Sequence, residues 1–200
     1  MRRYLLSLLL FFFLSGCSES PQLDTLSSEA VILAFGDSLT FGTGAKPEQS
    51  YPSVLAKLTK LEVINEGIPG EVSAKGLKRL PGLLEKHEPD LLILCHGGND
   101  ILQRKSKDTM FKNVQKMIEL AKAKNVDVVL LGVPEFGLFL SSMEGYAEIA
   151  EATDSVYISD LIPDLLSDNS LKSDNVHPNK AGYKLMAEEI YETLQKSGAL

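Results

Sequence analysis

Two kinds of hydrophobic pattern alternate along the chain after about residue 30. Short, mostly apolar runs of four to six residues are typical of strands that are buried on both faces of a sheet. These predicted strands are residues 31–35, 62–65, 91–95, 128–133 and 156–159. Between them lie longer segments in which apolar residues recur every three or four positions, as on one face of a helix. These predicted helices are residues 51–60, 71–86, 108–124, 145–152 and 178–195.

The alternation of strands and helices predicts a parallel sheet that is covered by helices on both faces. This is a single three-layer α/β/α sandwich with five mostly parallel strands. Pro81 is expected to bend or interrupt the helix that contains it, and Pro178 suits the first turn of the last helix. Because ligands bind beyond the carboxyl ends of the strands in such sheets, the residues that follow each strand are the candidates for a functional site.

The N-terminal segment has a different pattern. Arg2 and Arg3 precede a ten-residue apolar core, 5–14, which is too short to cross a bilayer. This pattern predicts a signal peptide over residues 1–16. The sequence LSGC that ends at Cys17 resembles the bacterial lipobox, in which a peptidase cuts before the cysteine and the thiol is diacylated. The alternative is an ordinary secretory signal with an incidental cysteine.

The lipobox reading implies three segments: the signal peptide, a polar lipidated tether over residues 17–29, and a domain over residues 30–200. Two acyl chains on Cys17 would anchor the protein stably to a membrane, where a single chain would be marginal. Ser18 follows the cysteine in place of Asp, which by resemblance to Gram-negative lipoproteins implies sorting to the outer membrane. We therefore expect a lipoprotein of the bacterial cell envelope that faces the periplasm.

Composition and charge limit the classes of molecule that the protein is expected to bind. The hydrophobic fraction of 44% is that of an ordinary globular protein. The formal net charge is −7, with the acids spread along the chain, which argues against a nucleic-acid partner because phosphate binding needs a basic face. If Cys17 is lipidated, Cys95 has no cysteine left to pair with. It is then expected to be a small buried residue, with no internal disulfide.

Four polar or glycine-rich motifs mark the strand ends. They are GDSLT with Ser38 after the first strand, NEG with Gly67 after the second, HGGND with Asn99 after the third, and DNVHPN with Asp174 and His177 before the last helix. In a parallel sheet the carboxyl ends of the strands meet at one edge, so these motifs are expected to lie near each other.

The last motif contains two side chains, an acid and an imidazole, that can act together in catalysis. Asp174 and His177 are three residues apart, which lets the carboxylate bond one imidazole nitrogen and leaves the other free as a base. A serine hydroxyl is a weak nucleophile until such a base takes its proton, so Ser38 is the candidate nucleophile and His177 its base. Taken alone, each motif also fits a structural role: Ser38 as a turn residue that opens a helix, and His177 as a histidine held by Asp174.

Acyl-transfer chemistry also needs donors for the oxyanion of a tetrahedral intermediate. The candidates are the N–H of Gly67, which no side chain shields, the side-chain amide of Asn99, and the N–H of Ser38 at a helix start. His96 ends a predicted strand close to Asn99 and could line the site. His87 lies in a polar helix end and is expected at the surface.

The four motifs match, in order, the four blocks of the GDSL-type SGNH hydrolases. The resemblance runs from about Val31 to the last helix, and it is closest to the branch of thioesterase I, lysophospholipase L1 and arylesterase. It implies a flavodoxin-like fold, Ser38 as the nucleophile, His177 as the base and Asp174 as its orienting acid. The oxyanion hole would consist of Ser38, Gly67 and Asn99, with no metal or cofactor.

The resemblance has two departures. His96 stands where an apolar residue is more usual in that branch, and the segment 134–144 has no close match. In this segment Phe136, Leu138 and Phe139 could form an apolar wall for an acyl chain, although packing into the core or a hydrophobic lid would explain them equally well.

The resulting prediction is hydrolysis of carboxylic esters or thioesters through an acyl-enzyme on Ser38. A carbohydrate O-acetylesterase would use the same four blocks, and a non-catalytic envelope-binding lipoprotein is the alternative outside enzymes. The α/β-hydrolase fold is excluded by its own motif, because the Gly-x-Ser-x-Gly elbow would need glycine where Thr40 stands.

Overall fold

A computed structural model describes residues 22–135 and 141–200 of the chain. Its centre is a sheet of five strands in the order β2-β1-β3-β4-β5, and every neighbouring pair is parallel. The strands are β1 Val31–Gly36, β2 Glu62–Gly67, β3 Leu91–Cys95, β4 Asp127–Leu131 and β5 Val156–Ile158. All five predicted strands are present, and the predicted three-layer α/β/α fold is confirmed.

In the described ranges, six α-helices connect the strands and two more follow β5. They are α1 Ser38–Phe41, α2 Tyr51–Thr59, α3 Ser73–His87, α4 Gly98–Leu102, α5 Lys107–Lys122, α6 Glu144–Thr153, α7 Leu161–Ser167 and α8 Lys180–Lys196. Helices α2 and α7 pack on α8, whereas α3 and α6 pack on α5, which gives one helix layer on each face of the sheet. None of these helices in the described ranges is long and apolar enough to cross a membrane.

The core lies between the sheet and the two helix layers. Every residue of β3 is buried, as expected for a central strand that is covered on both faces. Two buried tyrosines connect this core to the carboxyl edge of the sheet: the Tyr146 hydroxyl donates to the carbonyl oxygen of His96 at 2.7 Å, and the Tyr183 hydroxyl donates to that of Thr43 at 2.8 Å. The two bonds hold the segments that follow β3 and α1 near the carboxyl edge of the sheet, where ligands bind in this fold.

The helix boundaries differ from the predicted ones at two prolines. Helix α3 continues through Pro81 without a break. Helix α8 begins at Lys180, and its N-cap is Asn179, whose side-chain oxygen accepts from the N–H groups of Ala181 and Gly182. The prediction that Pro178 occupies the first turn is therefore wrong, because the better capping side chain follows the proline.

The predicted tether overlaps the folded domain. Leu23 is buried, its N–H donates to the carbonyl oxygen of Ser197 at 2.9 Å, and the N–H of Leu26 donates to that of Ala199 at 2.9 Å. These contacts place the segment from Leu23 onward against the C-terminal end of α8. The folded part of the chain therefore starts before residue 30.

Candidate active site

Ser38, His177 and Asp174 form a continuous chain of hydrogen bonds at the carboxyl edge of the sheet. The His177 Nε2 lies 3.0 Å from the Ser38 Oγ, and the His177 Nδ1 lies 2.8 Å from the Asp174 Oδ2. Since a carboxylate only accepts, Nδ1 carries the proton and Nε2 is the acceptor for the serine hydroxyl. This is the geometry of a Ser–His–Asp triad.

The aspartate is held in place by its own turn. The second carboxylate oxygen, Oδ1, accepts the N–H of Val176 at 2.8 Å and that of His177 at 2.9 Å. Burial alone would raise the pKa of Asp174, but these N–H groups and the His177 ring lower it by more, so the pKa lies below its ordinary value. Although its side chain is 53% exposed, Asp174 is fixed in the charged form that orients the imidazole.

The serine lies at the start of α1, two residues after the end of β1. Asp37 caps this short helix by accepting the Leu39 N–H at 3.1 Å, and Gly42 ends it in a left-handed conformation with φ of 97°. Ser38 is the first residue of the helix, where the N–H has no intrahelical acceptor. The local turn that sequence alone suggested is therefore present, and it presents both the hydroxyl and the N–H of Ser38 to the site.

Gly67 does not have the position predicted for an oxyanion donor. Its N–H donates to the Asn65 side-chain oxygen at 3.0 Å, and a Cβ on Gly67 would lie 2.1 Å from the Phe41 nitrogen. The residue is thus the closely packed end of β2. Gly70, three residues later, lines the cavity in front of Ser38, has a φ of 78° and has open space where a Cβ would stand. Gly70 is the glycine whose N–H can approach a ligand.

Asn99 lies in the first turn of α4 and lines the same cavity as Ser38. Its Nδ2 donates to the Asp37 Oδ2 at 3.0 Å, which fixes the orientation of the amide. One hydrogen of the Nδ2 group is used in this bond, and the second remains available for a ligand. Ser38, Gly70 and Asn99 all line one cavity with His177.

The prediction that His96 lines the substrate site does not agree with the structure. Its side chain is fully buried and bonds Glu71, so it lies behind the site instead of on its surface. The small neighbour Gly76 makes this burial possible, since a Cβ there would come within 2.3 Å of the His96 Nε2. The other predicted substrate contacts, Phe136, Leu138 and Phe139, lie outside the described residues.

The cavity beside Ser38 has a volume of about 210 Å³. Apart from the catalytic groups, much of its lining is apolar. The apolar residues are Leu39, Pro69, Leu102, Val133, Pro134, Ile162, Leu166 and Val176. Helix α7, which the sequence pattern did not predict, supplies two of them. Within residues 22–135 and 141–200, no group of three or more His, Cys, Asp or Glu side chains could hold a metal ion. That the protein uses no cofactor stays a prediction.

A Ser–His–Asp hydrogen-bond chain at the carboxyl edge of a five-stranded parallel sheet defines the class of the protein as an α/β/α hydrolase. The sequence comparisons give the family. Residues 34–185 match the model of the GDSL-like Lipase/Acylhydrolase family. The chain belongs to this family, and it is a carboxylic ester hydrolase of the GDSL type.

Three relatives illustrate the likeness. An arylesterase from Vibrio mimicus is 31% identical over 203 residues, which cover 96% of this chain and 98% of that protein. Thioesterase 1/protease 1/lysophospholipase L1 from Escherichia coli is 26% identical over 82% of this chain and 83% of its own length. The crystal structure of the psychrotrophic esterase EstA from Pseudoalteromonas sp. superposes with a TM-score of 0.74 at 27% identity, covering 84% of this chain and 98% of that chain.

Proposed function

We propose that the protein hydrolyses carboxylic esters and thioesters through a covalent acyl-enzyme on Ser38. The observation that carries this proposal is the 3.0 Å contact between the His177 Nε2 and the Ser38 Oγ, with Asp174 bonded to the far side of the imidazole. A serine that merely opened a turn would not need a base at this distance. The names of the relatives, an arylesterase and a thioesterase, support both classes of substrate.

In the proposed first half-reaction, the Ser38 Oγ attacks the carbonyl carbon while its proton passes to the His177 Nε2. The carbonyl oxygen becomes an oxyanion, which the N–H groups of Ser38 and Gly70 and the side-chain amide of Asn99 stabilise. The C–O or C–S bond then breaks, and the leaving group takes the proton from His177. Each oxyanion donor of this kind contributes roughly 3–4 kcal/mol to lowering the barrier.

In the second half-reaction, water attacks the acyl carbon and gives one proton to the His177 Nε2. The tetrahedral intermediate collapses, the bond between the carbonyl carbon and the Ser38 Oγ breaks, and the proton returns to the serine. The products are a carboxylic acid and the original enzyme. Asp174 stays ionised throughout and stabilises the imidazolium that forms twice in the cycle.

Replacement of the nucleophile tests the mechanism directly. Ser38→Ala should lower kcat toward p-nitrophenyl acetate by at least about 10³-fold, because the acyl-enzyme cannot form. Ser53→Ala is the matched control, since the Ser53 hydroxyl donates to the carbonyl oxygen of Pro47 and accepts from the Ser50 hydroxyl, outside the cavity, and its activity should equal that of the parent. Undiminished ester cleavage by Ser38→Ala would refute the proposal.

The size of the cavity supports a preference for short acyl chains. Its volume of about 210 Å³ lies below the range of about 300–1,000 Å³ that is typical of pockets for drug-sized ligands. In a series of p-nitrophenyl esters, kcat/KM should therefore be highest for short acyl groups and fall as the chain lengthens. A flat profile would contradict the preference, and an acetylated sugar in the same series would reveal a carbohydrate O-acetylesterase.

We also propose that the mature protein is a lipoprotein of the bacterial envelope, anchored through Cys17 and facing the periplasm. Two basic residues, a ten-residue apolar core and the LSGC motif support this proposal. In cells grown with radioactive palmitate, the parent protein should carry label and sediment with the membranes. Cys17→Ser should carry no label, and equal labelling of both proteins would contradict the anchor.

A further inference from the structure

Three side chains connect the strand ends that position the proposed oxyanion hole. The Glu71 carboxylate accepts the Arg79 Nε–H at 3.0 and 2.9 Å, and its Oε2 lies 3.2 Å from the His96 Nε2. Glu71 lies in the loop after β2, Arg79 in α3, and His96 directly after β3. We call Glu71, Arg79 and His96 the strand-end network.

Arg79 extends the network to β1 and β2. Its Nη2 donates to the carbonyl oxygen of Glu66 at 2.7 Å and to that of Gly36 at 3.3 Å. The guanidinium also lies 4.2 Å from the centre of the Phe35 ring, a distance at which a cation is attracted to an aromatic face. A planar group with several donors in fixed directions is thus used to hold two carbonyl oxygens and the carboxylates of Glu71 and Glu66 at once.

The network is charged and removed from solvent. The side chain of Glu71 is 5% exposed and that of Arg79 20% exposed. Burial raises the pKa of Glu71, but the hydrogen bonds from His96 and Arg79 lower it by more, so the pKa lies below its ordinary value. A buried carboxylate that is ionised and shared by two donors is held in a narrow range of positions.

Burial of a histidine at position 96 costs free energy. Its side chain is fully buried, and its Nδ1 has no hydrogen-bond partner among the described residues. A leucine would fill similar space without an unsatisfied polar atom. The bond from Nε2 to Glu71 is what the histidine provides and an apolar residue cannot.

We propose that the strand-end network sets the spacing of the three oxyanion donors, and that His96 is a positioning residue within it. Glu71 directly follows Gly70, and His96 precedes Asn99 by three residues. The Glu71–His96 bond therefore connects the loop that carries the Gly70 N–H with the residues that lead into α4, whose first turn carries the Asn99 amide. This inference rests on the proposed function, because it assigns the network a role in that oxyanion hole.

The role predicts a particular kinetic signature. The oxyanion exists only in the tetrahedral state, so a displaced donor weakens binding of the transition state and leaves binding of the ground-state ester nearly unchanged. Loss of the Glu71–His96 bond should therefore lower kcat and leave KM unchanged. A network that served stability alone would lower the unfolding midpoint and leave kcat intact.

The test compares two substitutions of His96 in the purified enzyme with p-nitrophenyl acetate. His96→Leu should lower kcat by about tenfold or more, since displacements of about 1 Å cost up to about 10²-fold, while KM stays within about twofold. His96→Gln should recover most of the loss, because its side-chain amide can donate to Glu71 as Nε2 does. His87→Leu is the matched control: it removes a histidine that bonds Glu66 at 3.3 Å, and kcat should be unchanged.

A kcat of His96→Leu within about twofold of the parent, or a His96→Gln no more active than His96→Leu, would overturn the inference. If His96→Leu does not fold, Glu71→Gln decides, because it keeps the shape of the side chain but has a single oxygen for the donors of Arg79 and His96. A lowered kcat with unchanged KM in that variant supports the network, and a parental kcat overturns it. Failure of the proposed function itself is seen separately, as activity that survives Ser38→Ala.

Discussion

At the scale of single residues, Asp37 connects the chemistry of the site with the stability of the fold. Its two carboxylate oxygens accept the Leu39 N–H at 3.1 Å and the Asn99 Nδ2 at 3.0 Å. Burial raises the pKa of Asp37 above 3.8, and the charge of His96 and the two hydrogen bonds offset only part of this effect. The residue that orients Asn99 is therefore also a buried carboxylate whose ionisation costs free energy.

Asp37→Asn should separate the contribution of Asp37 to catalysis from its contribution to stability. An asparagine has one oxygen for two donors, so Asn99 loses its acceptor or turns its amide, and kcat should fall by about 10- to 100-fold. For stability the sign follows from the raised pKa: the contribution of Asp37 is complete below its unfolded pKa and is lost as the pH rises through the folded one. The unfolding free energy of the variant, relative to that of the parent, should therefore rise as the pH increases above about 4.

Urea unfolding of both proteins at a series of pH values between about 4 and 7 measures this difference. Asp108→Asn on the exposed surface of α5 serves as the control and should run parallel to the parent at every pH. An advantage of the parent over Asp37→Asn that grows with pH would mean that the carboxylate is stabilised in its charged form, contrary to the prediction.

Gly67 at the end of β2 and Gly70 after it show where single-residue reasoning failed and what signal was missed. The two glycines are equally permissive in sequence, and the resemblance to the family was placed on Gly67. However, Pro69 and Gly70 occupy the middle of a turn closed by the bond from the Glu71 N–H to the Ile68 carbonyl oxygen at 3.1 Å. A Pro-Gly pair predicts such a turn with a positive φ at the glycine, and it would have identified Gly70.

At the scale of elements, the sequence predicted all five strands and the long helices, because their burial patterns are local and repeat several times. The hydrophobic pattern shows none of α1, α4 and α7, which have four, five and seven residues and too few turns to show a period; only the turn residues around Ser38 indicated the start of α1. Two of these helices contain Ser38 and Asn99, and the third supplies part of the cavity wall. The elements nearest the chemistry were thus the least visible in the sequence pattern.

Helix α7 gives the prediction at this scale. Leu166 lines the cavity, whereas its neighbour Leu165 is equally buried but is absent from the cavity wall. Leu166→Ala should enlarge the acyl site and move the optimum of kcat/KM toward longer p-nitrophenyl esters. Leu165→Ala is the matched control, with a comparable loss of about 2–5 kcal/mol in stability but an unchanged profile. If the acyl-chain length with the highest kcat/KM is the same in Leu166→Ala as in the parent, the acyl chain does not bind against Leu166.

At the scale of the whole molecule, the three-layer fold followed from the order of strands and helices, since parallel strands need covering on both faces. The order of strands and helices did not, however, predict where the domain begins. The residues before β1 are polar and have no period, so nothing local shows that Leu23 is buried against α8. Only the long-range pairing of the two ends of the domain reveals this contact, and such pairing leaves no trace in a sequence window.

This contact predicts how far the N-terminal region can be shortened. A fragment of residues 30–200 should be less stable in urea than a fragment of residues 22–200 by about 3–5 kcal/mol. The loss combines the burial of Leu23 with two backbone hydrogen bonds. Because these contacts lie at the far end of α8 from the Asn179 cap that follows the triad histidine, kcat of the folded shorter fragment should equal that of the longer one. Equal stability of the two fragments would mean that the segment adds nothing to the fold, and a lowered kcat would mean that its contacts reach the site.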